Sequence, residues 1–146
     1  VRAFGTALGT EVLRAAKEAR EIESEPRLFA RTAEVRLPLA AEPEHATLTL
    51  QRLDLAPTVR LVALGGEICV GYGHFIKGLD AAALTVQVGY SNGMVGYVPT
   101  AEILAQGGYE AVGSCPYFGL PSPFKPEIEG LIQEGIRGLF KDSVPA

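Results

Sequence analysis

Residues 47–67 read "TLTLQRLDLAPTVRLVALGGE". Leu48 and Leu50 alternate with Thr47, Thr49 and Gln51, the period of two that marks a half-buried strand. A turn around Asp54 to Thr58 follows, and then "VRLVAL" (59–64) is again strand-like. Pro57 falls in the connection, where its missing N–H breaks no ladder bond. The two runs predict a β-hairpin. Upstream, Phe29 to Leu39 alternate as well, with Ala33, Val35, Leu37 and Leu39 on one side and Glu34 and Arg36 on the other. That predicts a third half-buried strand, joined to the hairpin by a polar loop, "AAEPEHA" (40–46). Before it, Phe4, Leu8, Val12, Ala15, Ala19 and Ile22 recur at three- and four-residue steps. An amphipathic helix from Phe4 to Ile22, ended by Pro26, is expected.

Downstream of Gly65-Gly66, the segment Ile68 to Lys77 reads as a helix despite Gly71 and Gly73. "ALTVQVGY" (83–90) predicts a central strand, and "MVGYV" (94–98) a short extended piece. Pro99 followed by "TAEILAQ" (100–106) and Gly107-Gly108 predicts a short helix with a glycine stop. Residues 113–126 hold four prolines and three aromatics and read as irregular. Ile128, Leu131, Ile132, Ile136, Leu139 and Phe140 then mark a final amphipathic helix. Helices and strands interleave, so the expected class is α/β or mixed α+β. The sheet should carry amphipathic helices packed against it, with the first and last elements helical.

The 146 residues suit one domain. Hydrophobic residues make up 47% and charged residues 21%, the balance of a globular chain. With 13 basic against 17 acidic residues and no basic stripe, nucleic acid is an unexpected partner. No apolar run reaches the roughly 18 residues of a membrane-spanning helix. Cys69 and Cys115 lie 46 positions apart without a CxxC spacing. Two buried free thiols are expected, with a disulfide or ligand role left open. The single methionine is Met94, so Val1 is not an initiator, and further sequence is expected upstream of it.

Chemistry-bearing motifs cluster around "GYSNGMVGYVPT" (89–100). Gly89-Tyr90-Ser91-Asn92-Gly93 satisfies G-x-S-x-G, yet a nucleophile elbow needs a histidine after its serine. Both histidines, His45 and His74, precede Ser91, so the stretch reads as a turn. "GYGHFIKG" (71–78) is neither a dinucleotide fingerprint nor a P-loop, and His74 reads as a structural residue. Glu67 leaves an apolar strand through two glycines. It is either a site carboxylate or the cap of the helix that follows. Tyr97 is either a half-buried aromatic with a bonded hydroxyl or a residue aimed by the turn at a site.

"LVALGGE" (61–67), "VQVGYSNGMVGYVPT" (86–100) and "GGYE" (107–110), taken in register, resemble the neutral/alkaline ceramidase family of zinc-dependent amidases. The resemblance covers Leu61 to about Tyr109. It implies that Glu67 and Tyr97 are zinc ligands, with Tyr97 30 positions after Glu67 and only a short helix between them. It also implies Asn92 and Tyr109 as substrate-binding residues, Tyr109 with Glu110 matching the family's Tyr-Glu pair. Gly65 stands where the family carries proline. The family's other two ligands are histidines of its N-terminal part, and neither His45 nor His74 lies in that context. The chain thus resembles the C-terminal portion of a catalytic domain, completed by an N-terminal part of the same protein. An N-acyl amide of ceramide-like lipid would be the substrate and hydroxide on zinc the nucleophile. No residue of this chain is expected to be catalytic without that completion. A non-catalytic structural or interaction module of the same architecture is the competing expectation.

Overall fold

The computed structural model describes residues 1–21, 28–41, 44–81 and 83–141. The fold is mixed α+β: a four-stranded sheet with helices, helical at its first and last described elements. Strands β1 (Phe29–Pro38), β2 (His45–Ala56) and β3 (Val59–Leu64) form an antiparallel meander. Helix α2 (Val70–Gly78) then crosses over to β5 (Leu84–Val88), which pairs parallel to β3. A second, two-stranded sheet joins β4 (Glu67–Ile68) to β6 (Tyr97–Val98), also parallel. Helix α3 (Ala101–Gln106), a π-helical turn at Tyr109–Gly113 and a 3-10 turn at Cys115–Phe118 lead to helix α4 (Ile128–Phe140).

The hairpin and the alternation are as the sequence predicts. Leu37, Leu48, Leu50, Val62 and Leu64 are fully buried on one face of the sheet. Helix α4 presses Ile128, Ile132, Ile136 and Leu139 against them, and α2 adds Tyr72 and Ile76. Close approach of α4 requires a glycine at 135, where a Cβ would stand 2.6 Å from Val35 Cγ2 and 2.8 Å from Leu50 Cδ1. At the α4 C-terminus, Arg31 and Arg52 donate to the carbonyls of Gly138 and Leu139, both at 3.1 Å. Cations at that end match the helix dipole.

Several expectations change. The strand ending in "LVALGGE" stops at Leu64, because Gly66 N–H turns back to the Leu64 carbonyl at 3.0 Å. Glu67 opens β4 instead of closing β3. The predicted central strand, β5, lies at the sheet edge, with Leu84 and Val86 exposed. His45 and Ala46 belong to β2, not to the loop before it, and β2 runs on to Ala56, which shortens the turn to Pro57-Thr58. Leu131 of α4 faces partly outward.

Helix α1 spans Arg2–Glu18 and ends where Ala19 turns extended; Ile22 and Pro26 lie outside the described residues. Its apolar stripe is not buried: Phe4 is 83% and Leu8 68% exposed. Leu8→Ala is therefore expected to change folding stability by less than about 0.5 kcal/mol. Ile136→Ala, in the core, should cost about 2–5 kcal/mol. Urea unfolding of the two variants, monitored by circular dichroism, checks the contrast.

Candidate functional site

The site forms where the β4–β6 pair meets the loop at 89–96. Glu67 and Tyr97 are direct register partners in the parallel pair. Partners in adjacent strands project to the same side. The backbone fixes this juxtaposition: Glu67 N–H donates to the Gly96 carbonyl at 2.9 Å, and Cys69 N–H to that of Val98 at 3.3 Å. Gly66 lies so close to β6 that a Cβ would sit 2.8 Å from Val98 Cγ2.

Three further contacts anchor the frame. The buried Tyr72 hydroxyl donates to the Pro99 carbonyl at 3.0 Å, tying α2 to the exit of β6. Burial pushes that phenol well above its ordinary range. Thr100 caps α3 by accepting from Ile103 N–H at 3.3 Å, and Glu129 of α4 accepts from Ala101 N–H at 2.7 Å. The sequence reading of Glu67 as a helix cap does not hold: Cys69 occupies the N-cap of α2, and no side-chain bond is made there.

The loop at 89–96 is bent by unusual backbone angles. Tyr90 has φ 55° and Asn92 φ 64°, while Gly93 and Gly96 are also positive. Gly96 must be a glycine on two counts, its φ of 114° and the Phe118 ring 3.2 Å from where a Cβ would stand. Asn92 donates its side-chain amide to Gln51 Oε1 at 3.1 Å, tying the loop to β2. Ser91 Oγ donates to the Gly89 carbonyl at 2.9 Å, as a turn serine does.

Electrostatics follow from this geometry. The Glu67 carboxylate acts on two phenols, Tyr90 and Tyr97, and favours the protonated form of each. Hydrogen bonding toward Glu67, then burial and the negative charge of Glu67, raise the Tyr97 pKa to about 12. Tyr90 moves up for the same first cause. Each phenol keeps its proton at neutral pH. The Cys69 thiol is also raised, first by burial and then by Glu110 and Glu67. Cys69 and Cys115 are free thiols, Cys115 buried with Sγ 3.8 Å from the Ala111 carbonyl oxygen.

Aromatic rings wall the site. Tyr97 meets Tyr109 edge-on at 5.5 Å and Phe118 at 6.2 Å, and Tyr109 meets Tyr117 at 6.4 Å. Tyr90, Met94, Tyr109, Val112 and Tyr117 are exposed. The proline-rich stretch therefore divides its work: Cys115 and Phe124 pack inside, whereas Tyr117 and Phe118 extend the aromatic cluster.

The sequence-predicted residues Glu67, Tyr97 and Tyr109 come together, and Asn92 shapes the adjoining loop. The histidines stand elsewhere. His45 Nδ1 pairs with Arg36 Nη2 at 3.1 Å at the start of β2, and His74 is exposed on α2. Among the described residues, no group of three or more His, Cys, Asp or Glu side chains gathers as a metal cage. Tyr90 was missed from sequence because the serine beside it drew the motif. The available signal was a bulky ring inside a Gly/Ser/Asn turn, where small residues are the rule. No helix among the described residues is long and apolar enough to cross a membrane. Comparison with protein-family models, with curated proteins and with solved structures returned no match.

Proposed function

We propose that this chain forms part of a zinc-dependent amidohydrolase of the neutral ceramidase type, acting on an N-acyl amide of ceramide-like lipid. One observation carries the reading: the Glu67 carboxylate and the Tyr97 phenol, 30 positions apart, meet side by side on one short strand pair. Two oxygen donors converging in this way suit half of a four-coordinate zinc site. Two imidazoles from elsewhere in the same protein would complete it, since His45 and His74 lie in other surroundings. When bound, zinc supplies hydroxide at neutral pH and polarises the scissile carbonyl.

The chain's own residues have separate tasks. Glu67 offers a carboxylate that the strand register sets beside Tyr97. Tyr97 offers a phenol oxygen whose ring is fenced by Tyr109 and Phe118, so that it does not swing away. The exposed rings of Tyr109 and Tyr117, with the exposed Met94 and Val112, supply apolar surface for an acyl chain.

Zinc content and amide hydrolysis of the full-length protein test the reading. Glu67→Ala and Tyr97→Phe should each lower one or both by more than about 100-fold, beyond the loss typical of an outer-shell partner. Wild-type zinc content and turnover in both variants would remove the assignment. The isolated 146-residue chain, with two oxygen ligands, should bind zinc weakly. Sub-micromolar affinity by titration calorimetry would contradict that. A full-length protein without zinc or turnover would instead favour an interaction module.

A further inference from the structure

The two edges of the four-stranded sheet differ in kind. β1 carries the exposed Glu34 and Arg36 and then Pro38, the charges and proline that keep an edge from pairing. β5 (LTVQV) has no charge, no proline and no bulge, and its Leu84 and Val86 are exposed. The free side of β5 is polar backbone. Leu84 N–H donates to the Thr58 carbonyl at 2.7 Å, toward β3. Main-chain groups alternate in direction along a strand, so the N–H and C=O of Thr85 and Gln87 face outward. Beside that edge, between β5 and α2, runs a groove of about 280 Å³. α2 lends it Val70, Gly73, His74 and Lys77, one helical face at steps of three and four. β5 lends its residues 84–87. Among the described residues, Thr85 Oγ1 is buried on this wall without a hydrogen-bond partner, and neither His74 nor Lys77 pairs with a carboxylate.

We infer that the β5 edge takes up an extended acidic peptide segment, held as an added strand between β5 and α2. Strand addition draws affinity from main-chain bonds and specificity from alternate side chains. The register turns Thr85 and Gln87 to the α2 face with Arg60 and Val62, and Leu84 and Val86 to the opposite face. The occupant therefore sets apolar residues beside Leu84 and Val86, as cross-strand pairs. Its acidic residues turn toward α2, where Lys77 supplies the opposite charge. The site is independent of the amidohydrolase reading.

Titration of the full-length protein with a labelled hexapeptide alternating valine and glutamate, followed by fluorescence anisotropy, tests it. The peptide should bind saturably, and its valine–lysine counterpart at least about tenfold more weakly. Lys77→Glu should reverse that preference. Gln87→Pro deletes one outward N–H and no bond of the β3 ladder, so it should keep the urea midpoint near wild type and abolish binding. Gln87→Ala retains the N–H and should bind. Amide exchange reads the same contact without a variant: the peptide should slow Thr85 and Gln87 at least about tenfold and leave Val86 unchanged. No saturable binding, equal binding of both peptides, or binding without protection of Thr85 and Gln87 overturns the proposal. A dimer that Gln87→Pro dissolves, with no peptide bound, assigns the edge to a second copy and overturns it as well.

Discussion

Asp54→Ala is expected to destabilise the folded chain by about 3–5 kcal/mol, the cost of leaving a buried charge without its partner. Asp54 sits between two buried arginines on the core face of the sheet. Arg52 grips it with Nε at 2.8 Å and Nη2 at 2.6 Å, and Arg60 Nε lies at 3.7 Å. All three side chains are almost wholly withdrawn from water. Arg60 keeps Asp80 at 2.8 Å, but Arg52 would retain only the Leu139 carbonyl and the rings of Phe29 and Phe140. Those contacts do not repay the desolvation of a guanidinium. A concerted replacement, Arg52→Met with Asp54→Leu and Arg60→Met, removes the charges together and should come out near neutral or stabilising. Urea midpoints for the two variants measure this directly. A small loss for Asp54→Ala would mean that water reaches the network.

The second large effect is expected at Gly66. An alanine Cβ there would stand 2.8 Å from Val98 Cγ2, 3.0 Å from the Gly96 carbonyl oxygen and 3.2 Å from Val95 Cγ2. Valine is stiff about its first torsion and the carbonyl belongs to the ladder, so neither yields easily. Overpacking of this kind costs about 1–3 kcal/mol. The larger consequence concerns the site, since relief of the clash separates β4 from β6 and with them Glu67 from Tyr97. On the proposed amidohydrolase reading, Gly66→Ala in the full-length protein should therefore lose zinc and amide hydrolysis as severely as Tyr97→Phe. Gly138→Ala is the control: nothing lies within 4 Å of its Cβ in α4, and it should stabilise by about 0.5–1 kcal/mol. Retention of zinc in Gly66→Ala would show that the strand pair has slack.

Much of the architecture was written in side-chain period. The alternation through Val35, Leu37, Leu48 and Leu50 predicted two strands and their inward faces, because one residue of slip would turn every leucine to water. The spacing of Ile128, Ile132, Ile136 and Leu139 likewise determined α4 and its buried stripe. The same logic failed at α1, where a helical stripe is present but lies exposed. Periodicity states which face wants burial and is silent on whether a neighbour covers it. It failed again at β5, since edge and central strands share the same local pattern.

The candidate site divides along the same line. The paired-glycine exit and the turn of small residues left Glu67 and Tyr97 open between structural and site roles, and only the family resemblance marked them as ligands. Their meeting was decided by tertiary structure, because a two-residue ladder between β4 and β6 leaves no periodic trace in a chain. Tyr90 left a weak trace, a bulky ring in a turn of small residues. Its backbone strain exists only once the loop at 89–96 is pressed against the turn at 65–66. Local residue choice thus fixed the elements, and close backbone approach between segments far apart in sequence fixed the site.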